Sequence, residues 1–310
     1  MTQPRHIVIT DEAHHLPYSK GLTAGSIMAT GLAPARAFHV AERVEDRLHE
    51  EGVTELTQAE LQRFVARVLA DEVGERYATS YEKWRRVKDV DRPIVILIGG
   101  APGVGKSTIA TQLAARLGIT RVIPTDAVRE VMRAMLSDEL LPALHASSFE
   151  AGRLVLKPLP RNADPVVIGY REQVAAVAVG IKALVRRAIM EGTDLVLEGA
   201  HIVPGFLDLD ELGGAVVVPL LVTVDDEELH RSHLVRRANE SRGRPMDRYL
   251  DYFEPIRTIQ RYVKSLALEH GTPVVPSYNL DATLAQVVEI VLTRVVATVP
   301  SPEPFPQPVS

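Results

Sequence analysis

GGAPGVGKST, residues 99–108, decides the fold. It holds G-x-x-x-x-G-K-S on Gly100, Gly105, Lys106 and Ser107. The apolar run IVILI, residues 94–98, precedes it, and a helical stretch, residues 106–117, follows it and stops at Gly118. Strand, glycine-rich loop and helix in that order make a phosphate cradle. The predicted cradle is Gly100, Ala101, Pro102, Gly103, Val104, Gly105, Lys106, Ser107 and Thr108. Curled backbone presents N–H groups to phosphate oxygens, and the helix start adds its positive dipole end. Lys106 is expected to reach the β- and γ-phosphates of ATP and Ser107 to hold Mg²⁺.

The pattern on the C-terminal side extends this unit. Strands are expected at residues 121–124, 194–198, 215–224 and 274–275. Helices are expected at 126–135, 172–191, 226–239 and 282–298. Strands alternating with helices imply a parallel sheet covered on both faces. The fold class is therefore α/β: a P-loop NTPase three-layer sandwich with a five-stranded parallel sheet, of nucleoside-monophosphate-kinase type. Sites in such sheets lie at the carboxyl ends of the strands.

On the N-terminal side the pattern differs. Residues 6–9 read as a short strand, and residues 35–50 and 57–73 carry helical periodicity, with Pro34 and Thr57 as start signals. Residues 77–87 are aromatic and basic, and Asp91-Arg92-Pro93 marks a boundary. The expected division is a small, mainly helical domain at 1–90, the P-loop domain at 91–298, and a tail at 299–310. Five prolines in those last twelve residues predict disorder.

Composition narrows the chemistry. The chain has no cysteine, which removes disulfides, thiolate nucleophiles and cysteine-held metal centres and fits a reducing cytoplasm. A net charge of −5 argues against nucleic acid as the main partner. The apolar runs 94–98 and 215–224 fall short of the ~20 residues of a membrane span. A homo-oligomer remains open.

The acceptor side is read from strand ends. Asp126 follows the second strand of the P-loop unit; it can accept a hydroxyl proton or help position Mg²⁺, and can also serve the helix start. Arg129 and Arg133 follow at helical spacing and suit an anionic acceptor. Glu198 ends an apolar strand beside the cradle and is a second expected Mg²⁺ ligand. His201 lies three residues on, a candidate acceptor contact or a satisfied structural residue. His145, Ser147 and Ser148 share a loop near Lys157, Arg161 and Arg171, which suits a small phosphorylated acid. HRSHLVRRANESRGRP, residues 230–245, carries Arg231, Arg236, Arg237, Arg242 and Arg244. An arginine lid of this kind would stabilise charge on the transferring group, with Arg237 and Arg242 as its catalytic candidates.

These segments together carry a resemblance. IVILIGGAPGVGKSTIATQLAARLGI, TDAVREVMR, LLPALHASSFEAG, VLEGAHIVPG and RANESRGRPMDRYLDYFEPIRTIQRYV resemble the 2-phosphoglycerate kinase family of methane-producing archaea. The similarity runs into LPYSKGLTAGSIMATGL, so it covers nearly all of the chain but the tail. It implies ATP-dependent phosphorylation of 2-phosphoglycerate to 2,3-bisphosphoglycerate. Other acceptors kept open are 3-phosphoglycerate and other small sugar acids or sugar phosphates. A regulatory NTPase switch is the rival of another class, and the basic acceptor region disfavours it. The first unit resembles an ATP-cone, with its Pro-aromatic-Ser-Lys turn at Pro17 to Lys20. The basic pair usual near the start is missing, so that unit reads as a helical cap.

Overall fold

A computed structural model of the chain describes residues 7–11, 14–87, 90–155, 158–208, 210–240 and 246–298. It divides into two compact units, Met1–Asp91 with Glu289–Ser310, and Arg92–Val288. The predicted tail lies outside the described residues. Among the described residues no helix is long and apolar enough to cross a membrane.

The first unit holds strands β1 (Val8–Asp11), β2 (His14–Pro17) and β3 (Glu55–Thr57) and helices α1 (Lys20–Met28), α2 (Pro34–Glu50), α3 (Gln58–Glu72) and α4 (Glu75–Val87). The strands form one sheet in the order β2-β1-β3, antiparallel on one side and parallel on the other. Pro34 stands at the start of α2, where its missing N–H costs nothing. Thr57 caps α3 through a reciprocal box with Glu60, whose carboxylate accepts from Thr57 N at 2.8 Å. The apolar faces of these helices bury Ile27, Val44, Leu48, Val65 and Leu69. Each such side chain contributes roughly 1.5–3 kcal/mol relative to exposure. β2 and β3 are absent from the sequence reading, because three or four residues are too few to show alternation.

The second unit holds the five-stranded sheet. Its elements are β4 (Ile94–Gly99), α5 (Lys106–Leu117), β5 (Val122–Pro124), α6 (Thr125–Met135), α7 (Pro165–Glu191), β6 (Leu195–Gly199), β7 (Val216–Thr223), α8 (Glu227–Glu240), α9 (Met246–Asp251), α10 (Phe253–Glu269) and β8 (Val274–Pro276), and α11 (Leu280–Val296) follows. The strand order is β5-β6-β4-β7-β8, and every pairing is parallel. Every residue of β4 is buried, as the unbroken apolar run requires. Val95 and Leu97 pack with Val177, Ile181 and Val185 of α7. Ile96 and Ile98 point the other way and are equally buried, so both sheet faces are covered.

Register builds the site. Gly99 pairs with Gly199, Ile98 with Glu198, and Pro124 also with Glu198. The cradle, the Glu198 carboxylate and the start of α6 therefore leave the sheet side by side, at its switch point. Helix α7 begins earlier than the periodicity predicts, because Asp164 caps it by accepting from Val166 N at 2.8 Å and Pro165 opens it.

Candidate active site

The cradle is the loop between β4 and α5. Gly105 caps α5 at φ 91°, a left-handed turn that aims the first helical N–H groups into the loop. Lys106 is buried, and its Nζ donates to Ala101 O at 2.7 Å. Ser107 Oγ donates to Glu198 Oε1 at 2.8 Å. Glu198 is itself only 6 % exposed. An alcohol oxygen beside a buried carboxylate is a hard donor pair, of the kind that holds Mg²⁺ when substrate phosphates supply further oxygens. The residues present fit that cation.

Two cavities flank the cradle. One, of about 370 Å³, is lined by Gly103, Gly105, Lys106, Ser107, Thr108 and Ile109, by His233 and Arg236 of α8, and by Ser277, Tyr278 and Leu280 after β8. The other, of about 230 Å³, also has Lys106 and Ser107 in its wall. Its remaining lining includes Asp126, Arg129, Ser147, Ser148, Phe149, Glu198 and Tyr249.

Sequence-predicted residues distribute unevenly over these walls. Asp126 lies in the first turn of α6, but the helix caps on Pro124 without a side-chain bond, so capping does not occupy its carboxylate. Arg129 is 14 % exposed; its Nη1 donates to Ala146 O at 2.6 Å, and its buried Nε has no hydrogen-bond partner. Arg133, a full turn further on, is exposed and pairs with Glu130 at 3.5 Å; it lies outside the described cavity wall. His145 Nε2 donates to Leu136 O at 2.9 Å, and it too lies outside that wall.

His201 is 1 % exposed and bonds Thr125 and Gln173, so it is an interior residue rather than an acceptor contact. Burial holds its pKa down, to about 4.

Of the arginine lid, Arg236 reaches the first cavity and Arg231 stacks on Phe253 with its guanidinium 3.7 Å from the ring centroid. Arg237 belongs to α8, but its side chain, Arg242 and Arg244 lie outside the described residues, as does Lys157.

Several site residues carried no usable signal. His230 Nε2 donates to Pro102 O at 2.8 Å, bracing the cradle from α8, and burial likewise lowers its pKa to about 4. Arg257 of α10 donates to Val224 O at 2.7 Å and Asp225 O at 2.8 Å, which fixes the turn into α8. Phe149 lies against Tyr249 and Tyr252, ring centroids 5.9 and 5.3 Å apart. An aromatic residue beside two serines in a polar loop was the available hint for Phe149; Tyr249 and Arg257 had none.

A phosphate cradle at the switch point of this sheet, with an acceptor cavity opening from the same wall, defines a P-loop kinase. A family model described as an AAA domain matches residues 95–298. The chain is 39% identical to a 2-phosphoglycerate kinase from Methanopyrus kandleri over 94% of its own length and 88% of that protein's. It is 39% identical to a 2-phosphoglycerate kinase from Methanothermobacter thermautotrophicus, over 88% and 89% of the two chains. It is 37% identical to one from Methanococcus maripaludis, over 93% of each. The chain belongs to the 2-phosphoglycerate kinase family.

Proposed function

We propose that this protein transfers the γ-phosphoryl group of ATP, with Mg²⁺, to the free hydroxyl of 2-phosphoglycerate, forming 2,3-bisphosphoglycerate and ADP. The observation that carries this reading is the shared wall: Lys106 and Ser107 line both cavities. A group held at that wall faces a nucleotide on one side and an acceptor on the other. Phosphoryl transfer needs this positioning and charge stabilisation more than covalent help.

The acceptor hydroxyl oxygen forms the new P–O bond as the bond to the β–γ bridging oxygen breaks. Asp126 is the carboxylate in this wall that can take the hydroxyl proton. Lys106 and Arg236 offset charge on the phosphates. Ser107 and Glu198 would hold Mg²⁺, which neutralises phosphate charge when bound. Arg129, a cation in the wall of this cavity, suits the acceptor's phosphate or carboxylate, and Ser147 and Ser148 suit its remaining oxygens. Residues 91–298 carry this chemistry, and residues 1–90 form an accessory unit resembling an ATP-cone.

The test is ADP release measured over a panel of phosphorylated acids, 2- and 3-phosphoglycerate among them, with ³¹P NMR of the product. Acceptor-dependent turnover with 2-phosphoglycerate and a bisphosphate product is the expected result. Slow ATP hydrolysis indifferent to every acid overturns the reading.

A further inference from the structure

Behind the acceptor cavity lies a chain of buried polar groups that the proposed chemistry does not use. Thr125 and Gln173 are fully buried and His201 is 1 % exposed. Thr125 Oγ1 and His201 Nδ1 lie 2.9 Å apart, and His201 Nε2 and Gln173 Oε1 lie 3.0 Å apart. The Gln173 amide nitrogen bonds Ala143 O and, at 3.0 Å, Ala146 O.

The direction of every bond in this chain follows from its far end. Two carbonyls can only accept, so Gln173 presents its N–H groups to them and its oxygen to His201. His201 Nε2 must then carry the proton. Nδ1 is left as an acceptor, so the Thr125 hydroxyl donates to it. One tautomer of His201 satisfies all three residues.

The chain connects each piece of the acceptor wall. Thr125 immediately precedes Asp126. His201 follows Glu198 by three residues. Ala146 immediately precedes Ser147 and Ser148, and its carbonyl also accepts from Arg129. Two close backbone approaches tighten the array. A Cβ on Gly199 would fall 1.8 Å from Thr125 Oγ1, so only glycine lets β6 and α6 meet there. One turn before Gln173, a Cβ on Gly169 would fall 2.3 Å from the Ala151 carbonyl carbon, so α7 grips the serine-bearing segment at two successive turns. A buried, fully satisfied polar network rigidifies what it joins.

We propose that Thr125, His201 and Gln173 form a hydrogen-bond relay that sets the position of Asp126, Arg129 and the Ser147-Ser148 segment around the acceptor. His201 and Gln173 are thus positioning residues, without contact to the reacting groups. This rests on the acceptor assignment made above. Misplacement of such a wall by a fraction of an ångström to an ångström costs up to about a hundredfold in rate.

Near-isosteric Thr125→Val and Gln173→Leu each cut the relay, while Thr125→Ser keeps the donor. With ATP and 2-phosphoglycerate as substrates, Thr125→Val and Gln173→Leu should raise the 2-phosphoglycerate KM about tenfold or more and leave the ATP KM within about twofold. Thr125→Ser should restore most of the loss. Equal changes in both KM values, or none in either, overturn the proposal. A second measurement needs neither turnover nor a variant that folds well. Long-range ¹H–¹⁵N NMR of wild-type protein labelled at histidine should show His201 with Nε2 protonated and Nδ1 bare at neutral pH. The opposite tautomer overturns the relay. If the wild type ignores 2-phosphoglycerate, the acceptor assignment fails while the tautomer still decides the relay.

Discussion

Ser107 Oγ and Glu198 Oε1 meet at 2.8 Å, joining the first turn of α5 to the last residues of β6. Sheet register creates the contact: Gly99 pairs with Gly199, so cradle and carboxylate leave adjacent strands at one level. Replacing the charge while keeping the shape isolates its role. Glu198→Gln should raise the Mg²⁺ concentration needed for half-maximal ADP release by about tenfold or more. A Mg²⁺ titration of turnover checks it, and an unchanged midpoint removes Glu198 from the metal.

Lys106 tests the cradle itself. Its ammonium is buried, and the loop carbonyl of Ala101 accepts from it. Lys106→Ala removes a positive charge from the wall common to both cavities. Loss of one preorganised donor at a transferring group costs about 10²–10³ in kcat. Circular dichroism and the thermal midpoint should show an intact fold. Wild-type turnover in this variant would refute the proposed cradle.

Arg129 separates acceptor from nucleotide. Of the two cavities described, it lines the one that contains Asp126 and the two serines. Hydrogen bonds to charged groups contribute about 1.5–3 kcal/mol, so Arg129→Ala should raise the acceptor KM by roughly ten- to a hundredfold. The ATP KM should stay near its wild-type value. Steady-state kinetics with each substrate varied in turn decide it, and parallel shifts in both constants would move Arg129 off the acceptor.

Legibility in the sequence followed the physics of each signal. The unbroken apolar run of β4 and the glycine-lysine-serine loop fixed the sheet and the cradle, because buried strands and phosphate loops tolerate few alternatives. Helix α10 went unread, although its inward face carries Arg257 and Gln260. Buried arginine and glutamine look like solvent-facing residues in a pattern of apolar spacing, and here the Arg257 Nη groups and the Gln260 amide bond the carbonyls and amide of the turn after β7. Arg129 and Arg133 looked equivalent on one helical stripe, but the segment bearing Ala146 reaches only the first of them. For His201 the pattern leaves both an acceptor contact and a satisfied interior residue open, because it follows Glu198 so closely. The turn after Gly199 sends it inward to Thr125 and Gln173, a direction that depends on partners 76 and 28 residues away.

The two buried histidines set the pH range of stability. His201 and His230 both have folded pKa values near 4 against 6.5 for a free imidazole, lowered first by burial. As pH falls below 6.5 the unfolded chain takes up these protons and the folded chain does not. Their stabilisation is therefore complete above pH 6.5, falls away between 6.5 and 4, and is gone below that. Each pKa unit corresponds to about 1.4 kcal/mol, so each histidine contributes on the order of 3 kcal/mol over the full window. Urea unfolding between about pH 7.5 and pH 5, above most carboxylate titration, reads this directly. The midpoint should drop steadily with acid, and His201→Gln should remove its share of the slope. Stability that stays level to pH 5 would mean that neither imidazole is held neutral by its surroundings.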